Sequence, residues 1–183
     1  MNKILLVVLA VFSIGAMFSC QKETLKKMAA DQEKNIESFI EARLQQVDTA
    51  YVVRNNGVNR VVIVPGQGDS LNASGTVSFY YALYKLTGAS VSSSSLLYTN
   101  SKTSASSAGW NVTDSTAFEI KTLGLNEDGL VDGLKYGLEG VRAGQECFVV
   151  FSGQKGFGKK ASGTIPANAA LVYQIWVESI SNE

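Results

Sequence analysis

Leu130-Val131-Asp132-Gly133-Leu134-Lys135-Tyr136-Gly137-Leu138-Glu139-Gly140-Val141-Arg142-Ala143-Gly144 is the stretch that decides the fold. Leu130, Val131, Leu134, Leu138 and Val141 recur near helical spacing, the polar Asn126-Glu127-Asp128 ahead of them suits a helix start, and Gly144 suits a stop. The spacing predicts one short helix within Asn126 to Gly144 that carries an apolar face. Its surroundings read as strands. Downstream, Glu146 to Ser152 and Ala170 to Ser179 are apolar, β-branched runs, separated by the glycine-rich Gly153 to Gly163 and by Thr164-Ile165-Pro166. Upstream, Tyr51 to Arg54 and Val58 to Val64 flank Asn55-Asn56-Gly57, the signature of a hairpin. Thr76 to Leu86 alternates Val77, Phe79 and Tyr81 against Ser78 and Tyr80, and Phe118 and Ile120 alternate as a shorter strand. The Ser-rich stretch Ser90 to Ser107 reads as a loop or irregular edge strand whose Leu96, Leu97 and Tyr98 touch the body. One helix laid against runs of strands is an antiparallel α+β architecture.

The N-terminus has a different character. Met1-Asn2-Lys3 is a short positive segment, Ile4 to Phe12 an apolar run too short to span a bilayer, and Met17-Phe18-Ser19-Cys20 a small-residue cleavage site ending in cysteine. These features are expected of a bacterial lipoprotein signal peptide over residues 1–19, with Cys20 as the lipidated new N-terminus, because only a thiol there accepts the diacylglyceryl group. Residues 20–48 read as a tether containing an amphipathic helix from Leu25 to Gln46, with Met28, Ile36, Phe39, Ile40 and Leu44 on one stripe. Such a stripe docks on the domain or on a second copy of itself, so self-association through this helix is a further expectation. Residues 49–183 form the single domain, with the Ser-rich insertion at about 90–107. The expected location is the bacterial cell envelope, anchored to a membrane through the lipid on Cys20 and facing the periplasm or the cell surface.

Composition narrows the chemistry. The chain has 183 residues, 16 basic and 16 acidic side chains and no histidine. Balanced charge argues against nucleic-acid binding, and the lack of histidine rules out Ser-His-Asp and Cys-His catalysis and histidine metal sites. Cys147, in an apolar run and without a disulfide partner once Cys20 is lipidated, reads as a small buried hydrophobe. Gly153-Gln154-Lys155-Gly156-Phe157-Gly158-Lys159 nearly spells a phosphate-binding loop, but Lys160 stands where Ser or Thr should follow, and no helix comes next. Asn126, Asp128 and Asp132 fall off the alternate positions that a calcium loop requires. No metal or organic cofactor is implied.

Four ordered blocks, Tyr81, Gly88, Val91, Ser92 and Ser93, then Leu130 to Gln145, then Lys155-Gly156-Phe157-Gly158, then Ile165-Pro166, Leu171, Tyr173, Ile175 and Val177, together resemble the FKBP family of peptidyl-prolyl isomerases. Its third-strand block, an aromatic, a turn and Gly-x-x-Phe-Asp-Ser, is matched by Tyr81, Gly88, Val91, Ser92 and Ser93. Its helix block is matched by Leu130-Val131-Asp132-Gly133-Leu134, Gly137-Leu138, Val141 and Gly144-Gln145. Its loop block is matched by Lys155-Gly156-Phe157-Gly158, and its closing block by Ile165-Pro166, Leu171, Tyr173, Ile175 and Val177. The resemblance spans roughly Val58 to Ile180 and implies a bent antiparallel sheet wrapped around one short helix, preceded here by the N-terminal helix.

Carried over block by block, the resemblance assigns Tyr81, Ser92, Phe157 and Tyr173 as catalytic positions, and Val91, Phe118, Leu130, Val131, Leu134 and Ile165 as substrate-binding. It implies peptidyl-prolyl cis-trans isomerisation of exported proteins, with prolyl segments as partners and a folding-helper role. Apolar and aromatic character is kept, whereas the family's tryptophan is Leu134, its aspartate Ser92 and its loop tyrosine Phe157. Those departures set out the alternative of a catalytically degenerate, FKBP-like lipoprotein that binds peptides or proteins in an envelope complex.

Overall fold

The structure, a computed structural model, describes the backbone of residues 3–183 and the side chains of residues 23–183. The signal-peptide and Cys20 readings rest on side chains outside the described residues. Among the described residues no helix is long and apolar enough to cross a membrane.

A long helix, α1 (Lys3–Gln46), leads into seven strands: β1 (Tyr51–Asn55), β2 (Val58–Val64), β3 (Thr76–Lys85), β4 (Leu96–Thr99), β5 (Lys121–Gly124), β6 (Glu146–Phe151) and β7 (Leu171–Ser181). Two short helices, α2 (Lys102–Ser107) and α3 (Asp132–Leu138), lie between them. The antiparallel sheet runs β1-β2-β6-β7-β3-β4, with β5 also on β3. Asn56 and Gly57, at φ 50° and 79°, form the tight turn between β1 and β2 that Asn-Gly favours.

Strand alternation separates two cores. On β6, Cys147, Val149 and Phe151 face one side with Leu138, Leu171, Tyr173 and Ile175, whereas Phe148 and Val150 face the other with Ile36, Phe39, Ile40, Val61 and Val172. The first side receives α3 and the second receives α1. Ile36, Phe39 and Ile40 sit at i, i+3 and i+4 and are fully buried, contributing about 6 kcal/mol by area, an upper figure because the unfolded chain buries part of that surface already. Arg43 stacks its guanidinium over Phe39 and Phe148 at 5.0 and 5.3 Å, and Arg54 pairs with Glu37 at 2.7 Å to tie the first hairpin to α1.

Two glycines let α3 lie directly on β6. A Cβ at Gly133 would stand 2.4 Å from the Phe151 ring, and one at Gly137 would stand 2.1 Å from Val149. The buried Arg60 of β2 closes the C-terminal end of α3, its Nη1 donating to the carbonyls of Gly137 at 2.8 Å and Glu139 at 2.6 Å. Burial lowers the Arg60 pKa, and these carbonyls repay part of that desolvation.

Two local readings are corrected and a third is extended. The helix covers only Asp132–Leu138, because Glu139 is extended and Gly140 takes φ 80°, so Val141 packs from a turn. Phe118 ends a 3-10 turn over Ser115–Phe118 and Ile120 precedes the strand, which begins at Lys121. In the Ser-rich insertion the expected irregular edge strand is β4, with Leu96 buried and Leu97 packed on the core, and the structure adds α2, which starts where the Ser101 side chain accepts from the Ser104 N–H.

Candidate functional site

The alternation of β3 and β7 puts aromatic rings on the face that α3 covers. Leu83 pairs with Tyr173 and Tyr81 with Ile175 across β3 and β7, and Tyr173 pairs with Val149 of β6. The rings form a row: Phe79 to Tyr81 at 6.0 Å, Tyr81 to Tyr173 at 5.9 Å, and Tyr173 stacked on Phe151 at 6.0 Å. Offset and tilted aromatic pairs at these separations are favourable beyond their area. Around the row, the half-buried Tyr81, Leu97, Leu130, Leu134 and Phe157 pack against a floor that includes the buried Phe151, Ile165 and Tyr173. Val131 is half-buried at the start of α3. A half-exposed apolar wall over a buried aromatic floor is a surface that accepts a small apolar ring.

Of the ten positions expected from the sequence, Tyr81, Tyr173, Phe157, Leu130, Leu134 and Ile165 come together, Val131 borders them, and Phe118 is half-buried but belongs to neither core. The structure does not bring Val91 and Ser92 there. Val91 packs on the opposite face with the core that α1 covers, and Ser92 lines a groove of about 420 Å³ there with Arg43, Tyr84 and Trp176. The chain after β3 turns to the far side of the sheet before β4 returns to its edge. Leu97 and Tyr98 occupy the edge beside Tyr81 instead.

Asn100, which no sequence signal singled out, fixes Tyr81. β4 pairs with Ala82–Tyr84 and β5 with Thr76–Phe79, leaving the edge of β3 unpaired between them. Asn100 fills that gap: its Oδ1 accepts from the Tyr81 N–H at 2.6 Å, and its Nδ2 donates to the Phe79 carbonyl at 3.3 Å and the Glu119 carbonyl at 3.0 Å. Its own N–H and the Thr99 hydroxyl donate to the Tyr81 carbonyl.

The loop that carries Phe157 and Ile165 is pinned at both ends by α1. Gln32 accepts from the Gly153 N–H at 3.0 Å and donates to the Asn168 carbonyl at 2.5 Å. At the loop's far end the Tyr98 hydroxyl accepts from the Thr164 N–H at 3.0 Å. Burial raises the phenol pKa values of Tyr81 and Tyr173, each neighbour adding to the effect, whereas hydrogen bonds from the Thr164 side chain and backbone lower that of Tyr98.

A bent antiparallel sheet closed over one glycine-docked helix, with an aromatic site between helix, edge strand and long loop, defines an FKBP-like α+β fold. The family model for FKBP-type peptidyl-prolyl cis-trans isomerase matches residues 75–178, and the chain belongs to that family. The structure is similar to that of FkpA from Escherichia coli, with TM-score 0.55 and 19% identity, covering 100% of this chain and 74% of that one. It is also similar to the three FKBP domains of wheat FKBP73, with TM-score 0.53, 13% identity and coverage of 73% and 50%. The N-terminal domain of FKBP42 from Arabidopsis thaliana gives TM-score 0.52, 15% identity and coverage of 72% and 92%. No curated protein matches in sequence. The hairpin of β1 and β2 precedes the family match, yet it supplies Arg60 to the end of α3.

Proposed function

We propose that the chain is a peptidyl-prolyl cis-trans isomerase that acts on prolyl segments of exported proteins as a folding helper. The observation that carries this reading is the Tyr81-Tyr173-Phe151 aromatic row beneath the half-exposed Leu97, Leu130, Leu134 and Phe157. An amide resists rotation by ~18 to 20 kcal/mol because twisting destroys its resonance. No nucleophile is needed to lower that barrier. A water-poor apolar site that seats the proline ring and strips water from the adjoining amide favours the twisted geometry, and each ~1.4 kcal/mol of preference for it is tenfold in rate. The reading includes lipid anchoring through Cys20 in the bacterial cell envelope. A catalytically degenerate binding module in an envelope complex is the second reading, favoured by Phe157, whose ring has no hydroxyl to offer a substrate.

The deciding experiment follows isomerisation of short X-Pro peptides by exchange NMR. Wild type accelerates exchange, and a folded Tyr81→Ala, Tyr173→Ala variant does not. Absence of acceleration by folded wild type across several residues before proline refutes the enzyme reading and leaves the binding module. Cys20→Ser moves the protein from the membrane fraction to the soluble fraction if the anchor is correct.

A further inference from the structure

The sheet face opposite the aromatic row carries a second concavity, which prolyl isomerisation does not use. Helix α1 buries Val150 and Val172 of this face, and beyond them Gln174 and Trp176 of β7 stay half-buried. They lie in a groove of about 420 Å³ between α1 and the Ser-rich insertion, within the size range of small-ligand sites. Arg43 of α1 lines one side, and Ser93 with Thr103 and Ser107 of α2 the other. The fully buried Ala105 seats α2.

Arg43 is half-buried, with its guanidinium over the Phe39 and Phe148 rings. Its Nη1 donates to Gln46 at 2.8 Å, its Nε is buried without a partner, and among the described residues Nη2 has none either. No carboxylate lines the groove, and Glu146, in the adjoining one, makes no ion pair with Arg43. Burial lowers the Arg43 pKa, with no acidic group to oppose it. The other polar groups of the groove are also unengaged. Among the described residues, the Gln174 amide, the Trp176 indole N–H and the hydroxyls of Ser93, Thr103 and Ser107 have no hydrogen-bond partner. A single guanidinium without a counter-ion matches the single charge and planar oxygens of a carboxylate. Amide and hydroxyl groups, which both donate and accept, suit the N–H and C=O groups of a peptide backbone, and Val91 and Phe148 add apolar surface for a neighbouring side chain.

We propose that this groove is a second peptide site, which holds an extended segment of another polypeptide by a carboxylate placed on Arg43. The site goes beyond the isomerase reading and stands without it, because the groove and the aromatic row lie on opposite faces of the sheet. A polypeptide held in the groove leaves the row free for proline.

The test titrates the protein with three N-acetylated, proline-free peptides: Ala-Glu-Tyr-Ala amide, Ala-Gln-Tyr-Ala amide and Ala-Gln-Tyr-Ala free acid. NMR follows the Trp176 indole N–H and the Gln174 side-chain amide, and circular dichroism checks the fold of each variant. At least one carboxylate peptide shifts both signals, and the neutral peptide binds about tenfold more weakly or less, in line with the loss of a charge-assisted pair. Binding of the first peptide identifies an acidic side chain as the anchor, and binding of the third a chain terminus; either supports the site. Arg43→Gln weakens that binding about tenfold. Because Arg43 also packs on Phe39 and Phe148, Thr103→Tyr gives an independent variant: its ring, carried on the exposed side of the groove, blocks binding and leaves that packing alone. Equal binding of the neutral peptide, or carboxylate binding unchanged in a folded Arg43→Gln or Thr103→Tyr variant, overturns the assignment. So does the absence of shifts with all three peptides at millimolar concentration, or a response to glucuronate where both carboxylate peptides fail.

Discussion

Removing the Asn100 side chain should destabilise the protein and disorganise Tyr81 together. Asn100→Ala strands the Tyr81 N–H, which now donates to Oδ1 at 2.6 Å, and the Phe79 and Glu119 carbonyls, which now accept from Nδ2. The residue is only 6% exposed. A net hydrogen bond is worth about 1 kcal/mol, and a buried donor left without a partner costs about 1 to 3 kcal/mol. Water can reach part of the space because β3 is near the sheet edge here, so the expected loss is about 2 to 4 kcal/mol. At about 2 to 4 °C per kcal/mol for a chain of this size, the midpoint falls by roughly 5 to 15 °C. Asn100→Asp sharpens the test. It keeps the acceptor for the Tyr81 N–H and nearly the same shape, but turns an oxygen toward two carbonyl oxygens and buries charge, so it should be at least as destabilising as alanine. Urea denaturation followed by circular dichroism gives the stabilities, and hydrogen exchange of the Tyr81 amide reports the local effect. An Asn100→Ala loss below about 0.5 kcal/mol, or an aspartate variant as stable as wild type, refutes the reasoning.

Gly137→Ala should cost about 1 to 3 kcal/mol, because its Cβ would overlap Val149, and a Val149→Ala change in the same chain should cost less than the two single changes added together, as a double-mutant cycle in urea would show. Gln32→Ala should speed hydrogen exchange at the Gly153 amide and lower stability by about 1 to 2 kcal/mol, since both ends of the Phe157 loop lose their tie to α1; unchanged exchange would mean that the loop holds itself. Burial pushes the Cys147 thiol up to about 11, so an alkylating reagent at pH 8 should label it only as fast as the protein opens. The sign for stability follows: the folded thiol titrates above its unfolded value of about 8.5, so its contribution is present below that pH and is lost as pH rises toward 11, and a Cys147→Ala variant should lack that decline.

What the sequence disclosed depended on whether a position answers to local spacing or to a distant partner. Period-two alternation placed β3, the Asn-Gly turn placed β2, and continuous apolar runs bounded by glycine and proline placed β6 and β7, each within a residue or two. The reach of α3 was overestimated since Val141 continues the apolar rhythm, while the left-handed turn at Gly140 ends the helix before it. The error at the site has a similar cause. Gly88, Val91 and Ser92 present an apolar-then-hydroxyl order without a gap, but Leu97, Tyr98 and Thr99 present nearly the same order later in the chain. The choice between them is made by the pairing of Thr99 with Ala82 and Tyr98 with Leu83, which is tertiary and leaves no local trace. Asn100 was hidden for a stronger reason: each of its side-chain partners is a backbone atom, so no neighbouring side chain in the sequence advertises it. Shifting the edge strand from Val91-Ser92 to Leu97-Tyr98 also changes the chemistry. Ser92 lies on the far side of the sheet, whereas Tyr98 at the edge accepts from the Thr164 N–H and lies close enough to Tyr81 to help raise that phenol's pKa.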